Sequence, residues 1–154
     1  MVSPRGTRRP TVALSRTTAT ISIVTGILLA TDADSVLDEV EAAVGGTHLI
    51  HRVRAGTDVV PATKAVDPDL VILDLQIGNM GGGAASLALR QEEGADRLAP
   101  RPILLLLDRE ADIFLAKHTG ADDWIVKPLD AFALLNKIDS ALATGQSAGA
   151  SPEG

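Results

Sequence analysis

At 154 residues the chain has room for one ordinary domain with a proper core. It has no cysteine, which excludes disulfides and thiolate metal sites, and no segment reaches the ~18–20 continuous apolar residues that a membrane helix needs. Four Arg and no acid fall in residues 1–25, so the formal charge of −6 leaves residues 26–154 at −10, a body with no electrostatic reason to bind nucleic acid. The hydrophobic fraction is 45%, but Phe114, Phe132 and Trp124 are the only aromatics. The core must then be Leu, Ile, Val and Ala, as in a layered α/β protein.

Residues 1–25, Arg- and Ser/Thr-rich, mimic a targeting peptide but lack a long apolar centre and a clear cleavage site. They are expected to be a disordered extension, or to lie upstream of the true start, with the Arg cluster of residues 5–9 a solvated tail. Ile27 to Thr31 is a short apolar run, read as a first buried strand ending in Asp32-Ala33-Asp34-Ser35. A helix follows from about Ser35 to Val44, with Val36, Leu37, Val40, Ala43 and Val44 on one face and Gly45-Gly46 as its stop. His48 to Val53 predicts a second strand. Thr57-Asp58 looks like the start of a helix that runs to about Val66, with Pro61 tolerable only in its first turn.

Leu70 to Leu73 is an uninterrupted run of β-formers, too short for a helix, and reads as a strand buried on both faces of a parallel sheet. Asp74 closes it, and a loop with four glycines between positions 78 and 83 follows. Ala84 to Glu93 has high helix propensity. Ile103 to Leu107 predicts the most apolar strand, Ala111 to His118 a short helix ended by Gly120, and Trp124 to Val126 a fifth strand closed by Lys127-Pro128. Asp130 caps a last amphipathic helix through Leu134, Leu135, Ile138 and Leu142. Residues 144–154, rich in Ala, Gly and Ser, read as a disordered tail, which leaves 26–143 as the domain. Five strands alternating with five helices predict a doubly wound parallel α/β sheet.

Ionisable groups sit at three strand ends: Asp32 and Asp34 after the first, Asp74 after the third, Lys127 after the fifth. In a 2-1-3-4-5 order the first and third strands are neighbours at the switch point, where ligands of open α/β sheets collect. Carboxylates converging there would repel unless a cation joins them. Mg²⁺, bound through one or two carboxylates plus waters and phosphate oxygens, suits such a pocket. Lys127 would stand opposite as a point charge for a phosphoryl group. A strand-ending Asp that merely caps a turn has the same local sequence as a nucleophile, so Asp74 alone decides nothing.

The combination decides more. An acid after the first strand, Leu-Asp-Leu-x-Ile-x-x-Met-x-Gly at positions 73 to 82, Gly120-Ala121-Asp122-Asp123 and Lys127-Pro128 together resemble the receiver domain of bacterial two-component response regulators, over roughly residues 26–143. The resemblance implies a five-stranded flavodoxin-like sheet of order 2-1-3-4-5. It implies Asp74 as phosphoacceptor, with Mg²⁺ held by Asp32, Asp74 and the backbone carbonyl of Gln76, and Asp34 a further candidate ligand. Lys127 would contact the phosphoryl oxygens, with the Lys127–Pro128 bond cis. Trp124 stands where receivers usually carry the switching aromatic.

The chain departs from the pattern at three places. Thr31 takes the place of the first of two adjacent acids. Leu107 and Asp108 stand where a Ser or Thr is usual, and an Asp there would repel a phosphoryl group. Gly78 replaces a usual Pro, which would loosen the loop.

The resemblance further implies a cytoplasmic, non-enzymatic signalling protein. A histidine kinase or phosphotransfer protein would phosphorylate it, and a downstream protein would read it through the face of the fourth helix, fifth strand and fifth helix. That face could equally pair two copies. The residues after 143 are too few for a DNA-binding helix-turn-helix, so a stand-alone receiver without DNA or membrane binding is expected. The alternative is a pseudo-receiver that binds a partner constitutively with little or no phosphotransfer. A haloacid-dehalogenase type phosphatase would need a second Asp where Gln76 stands, and an FMN carrier would need aromatics and a Ser/Thr-rich phosphate loop. His48, His51 and His118 are scattered and read as surface or edge residues.

Overall fold

The computed structural model describes residues 25–150, so of the extension predicted for residues 1–25 all but Thr25, which opens the first strand, lies outside the described residues with its Arg cluster, as do residues 151–154 of the predicted tail. Five strands form one parallel sheet: β1 (Thr25–Ala30), β2 (His48–Val53), β3 (Leu70–Asp74), β4 (Ile103–Leu107) and β5 (Asp123–Val126). The helices are α1 (Asp34–Val44), α2 (Val59–Val66), α3 (Gly82–Gly94), α4 (Ile113–Ala116) and α5 (Ala131–Ala150). The strand order is β2-β1-β3-β4-β5, as the sequence predicts.

β3 and β4 are buried along their whole length because helices cover both faces, so nothing selects polar residues on either side. Alternation then sorts the core into two layers. Ile27, Leu29, Leu70, Ile72, Leu104, Leu106 and Ile125 face Val36, Val40, Leu134 and Ile138 of α1 and α5. Leu28, Val71, Leu73, Leu105 and Leu107 face Val59, Ala85, Leu89 and Ala116 on the other side. Each fully buried Leu or Ile contributes about 1.5–3 kcal/mol.

Several element ends differ from the sequence reading. α3 starts two residues early, at Gly82, which packs so tightly that a Cβ there would lie 2.5 Å from the Asp74 carbonyl oxygen. The predicted eight-residue fourth helix shrinks to a 3-10 turn at Glu110–Asp112 and a single turn of α4. Asp112 makes that turn: its carboxylate accepts from the Arg109 backbone N–H and from the Arg109 guanidinium. α5 is capped by Asp130, whose Oδ2 accepts the Ala133 N–H at 2.8 Å. It continues to Ala150, past the boundary expected at 144.

Candidate phosphoacceptor site

The register brings the strand ends into line. Ala30 pairs with Leu73, so Thr31 stands abreast of Asp74; Leu107 pairs with Val126, so Asp108 stands abreast of Lys127. Thr31, Asp74, Asp108 and Lys127 also continue the alternation of the α1/α5-facing core layer. All four side chains therefore reach the same side of the sheet's carboxyl edge, where ligands of such sheets bind.

Asp74 is the centre, 2% exposed. Its Oδ1 accepts from Lys127 Nζ at 2.8 Å and from the Gln76 backbone N–H at 3.2 Å. Its Oδ2 accepts from the Thr31 hydroxyl at 2.7 Å, and the same Thr31 oxygen accepts the Ala33 N–H at 3.1 Å. Lys127 Nζ also pairs with Asp108 Oδ1 at 2.9 Å. Burial disfavours the Lys127 ammonium, but hydrogen bonds to Asp74 and Asp108 outweigh it and raise its pKa above the ordinary lysine value. The Lys127–Pro128 bond is cis, as the resemblance implies.

Other predicted residues go elsewhere. Asp32 is exposed and its Oδ2 accepts the Gly78 N–H at 3.3 Å, so it lines the mouth of the site. Asp34 does not bend back toward the pocket. It sits in the first turn of α1, where Arg52 at 2.8 Å and Arg54 at 3.4 Å take its Oδ1. The hydrogen bond from Arg52 and the charges of both arginines hold its carboxyl below the usual carboxylate range. Arg52 Nε also donates to the Thr31 carbonyl at 2.9 Å, tying β2 to the site's edge. Trp124 is half-buried against the α2/α3-facing core. Asp122 and Asp123 are structural: Asp122 accepts from Arg90 and the Ile103 N–H, and Asp123 pairs with Lys137. His48 and His51 are half-buried on the edge strand β2, and His118 is exposed.

The loop after Asp74 is not loosened by Gly78. Gly56 N–H donates to the Gly78 carbonyl at 2.9 Å and Thr57 N–H to the Asn79 carbonyl at 3.0 Å. Pinned so, Asn79 and Met80 hold positive φ of 54° and 102°. The linear sequence shows neither this backbone clamp, nor Thr31 as a donor to Asp74, nor Asp108 as a partner of Lys127. Their signal lies in the pairing of strand ends, which a linear reading does not give.

Among the described residues no three His, Cys, Asp or Glu side chains converge to hold a metal. Asp32 and Asp74 still offer two carboxylates at the ends of the adjacent strands β1 and β3, with the Gln76 main chain against Asp74. That donor set fits Mg²⁺, which needs only one or two carboxylates if it keeps its waters. No helix of the described residues is long and apolar enough to cross a membrane.

The chain is 33% identical over 89 residues to the DNA-binding response regulator MtrA of Mycobacterium tuberculosis, a match covering 56% of this chain and 36% of that protein's length. The receiver domain of a signal transduction histidine kinase from Syntrophus aciditrophicus superposes with a TM-score of 0.69 at 26% identity, covering 79% of this chain and 92% of that one. A receiver domain of a Pseudomonas aeruginosa sensor histidine kinase, with a magnesium ion coordinated in its active-site cleft, superposes at 0.68 with 20% identity, over 79% and 99% of the two chains. The family model of the response regulator receiver domain matches residues 27–139, and the chain belongs to that family.

Proposed function

We propose that this receiver takes a phosphoryl group on Asp74 from a histidine kinase or phosphotransfer protein, and that another protein reads the result. The carrying observation is the Asp74 carboxylate held 2.8 Å from Lys127 at the end of β3. A carboxylate oxygen forms the new P–O bond while the P–N bond of a phosphohistidine breaks, and the imidazole leaves with its electron pair and takes a proton from solvent. Thr31 and the Gln76 N–H fix the carboxylate plane, and Lys127 offsets negative charge on the transferred oxygens, which is most of what this chemistry asks of a protein. Mg²⁺ would be held by Asp32, Asp74 and the Gln76 carbonyl, and when bound would add to that neutralisation. The signalling surface is the α4–β5–α5 face: Phe114 of α4 and Phe132 of α5, the only phenylalanines, are each 74% exposed.

Intact mass after incubation with Mg²⁺ and acetyl phosphate tests the reading on wild type and Asp74→Asn. One phosphoryl adduct in wild type alone supports it; no adduct, with Mg²⁺ failing to bind, overturns it. A second reading, a constitutive binding module without phosphotransfer, is favoured by a separate observation. Both Asp74 oxygens and the Lys127 ammonium already have partners within the protein.

A further inference from the structure

Lys127 lies between two carboxylates of unequal exposure. Asp74 is 3% exposed at its side chain and Asp108 35%, so Asp108 stands on the solvent side of the shared ammonium. An arriving phosphoryl group needs the same ammonium and meets the Asp108 charge as it approaches. Asp108 is also the residue directly before Arg109, whose contacts with Asp112 build the turn that leads into α4. The ion pair therefore anchors the start of the β4–α4 segment to β5 while Asp74 is unmodified.

We propose that Asp108 is a built-in anion that holds Lys127 in reserve, and that phosphorylation of Asp74 must displace it, freeing the segment that carries α4. The inference rests on Asp74 as phosphoacceptor. Its sense is competitive: the modified site loses a tether between strand four and strand five instead of gaining one. Two consequences follow from one contact. Removing the carboxylate should speed phosphotransfer, since a charge-assisted contact need no longer be broken. It should also loosen residues 109–118 before any phosphoryl group arrives.

The experiment compares wild type, Asp108→Thr, Asp108→Asn and Asp74→Asn. Each is followed by intact mass during incubation with Mg²⁺ and acetyl phosphate, in which the acyl-phosphate P–O bond breaks and acetate leaves. Amide hydrogen exchange of residues 109–118 is measured on the unmodified proteins. Both Asp108 variants are expected to label on the order of tenfold faster than wild type, the factor that corresponds to about 1.4 kcal/mol, with faster exchange confined to that segment. Equal labelling rates in wild type and variants overturn the competition while leaving Asp74 as the acceptor. If no protein labels but exchange at 109–118 rises in the variants, the acceptor reading falls and the tether stands. If the proteins label at equal rates and exchange does not change, competition and tether both fall while Asp74 stands as the acceptor.

Discussion

Thr31→Val removes one oxygen from the centre of the site and little else. The Thr31 hydroxyl donates at 2.7 Å to Asp74 Oδ2, a buried acceptor whose other oxygen is already engaged, and its oxygen takes the Ala33 N–H. Val keeps both branches at Cβ, so the change leaves the Asp74 oxygen without its donor and the Ala33 N–H without its acceptor. A hydrogen bond to a charged group is worth about 1.5–3 kcal/mol, and a buried acceptor left unsatisfied falls in the same range. The expected loss is therefore about 2–3 kcal/mol, on the order of 10 °C in Tm for a domain of this size. Urea unfolding read by the fluorescence of Trp124, the single tryptophan, measures it. The decisive control is the same substitution in an Asp74→Ala background, where the acceptor is gone and the cost should fall by about 1–2 kcal/mol. A loss below about 0.5 kcal/mol in the Asp74 background, the level of an ordinary surface change, would show that Thr31 does not position Asp74.

Gly82→Ala places a Cβ 2.5 Å from the Asp74 carbonyl oxygen, a backbone clash that no rotamer relieves. It should cost at least about 1–3 kcal/mol in the same unfolding assay. Glu92 is held down to about 2 by hydrogen bonds from Arg97 and Lys64, against an ordinary 4.5. A depressed carboxyl stabilises above its unfolded value and loses that contribution as protons bind, so stability should fall between pH 4.5 and 2, less steeply in Glu92→Gln. Phe132→Ser, at a position 74% exposed, should leave stability within about 0.5 kcal/mol by thermal melt while weakening binding of a partner that uses the α4–β5–α5 face.

Much of the fold was legible because β4 and β3 up to Asp74 are apolar runs, and because α1 and α5 carry a stop and a cap that act locally. Gly45 takes the left-handed conformation and closes α1, as its position in the sequence suggests. Asp74 and Lys127 were legible because strand ends gather ligands in such sheets. What failed to show depends on partners distant in the chain. Asp34 looks like a pocket acid until β2 is placed beside β1, which puts Arg52 and Arg54 in its way. The glycines after Asp74 look like a flexible loop, yet Gly82 is there for close approach and Gly56 pins the loop from another element. Nor does sequence show why α4 is short: Asp112, bonded back to Arg109, spends the first residues of that segment on a tight turn.

The two departures at the site make sense together. Against the receiver pattern, the end of β1 has lost a carboxylate and gained a hydroxyl, while the end of β4 has lost a hydroxyl and gained a carboxylate. With Asp32, Asp74, Asp108 and Lys127, the site's formal charge stays where two adjacent acids and a hydroxyl would have put it. The exchange moves one negative charge from beside Asp74 to the far side of Lys127, so each carboxylate faces a donor and none faces another directly. Thr31→Asp alone should then be strongly destabilising, since it sets two carboxylates against each other at the 2.7 Å contact now made by a hydroxyl. Adding Asp108→Thr cannot remove that clash, but it releases Lys127 toward the new pair. The double variant should therefore recover about 1–2 kcal/mol of the loss and gain Mg²⁺ affinity, read as a change in Trp124 fluorescence on titration. Strictly additive losses, with no gain in Mg²⁺ binding, would mean that the two departures arose independently and that Lys127 does not couple them.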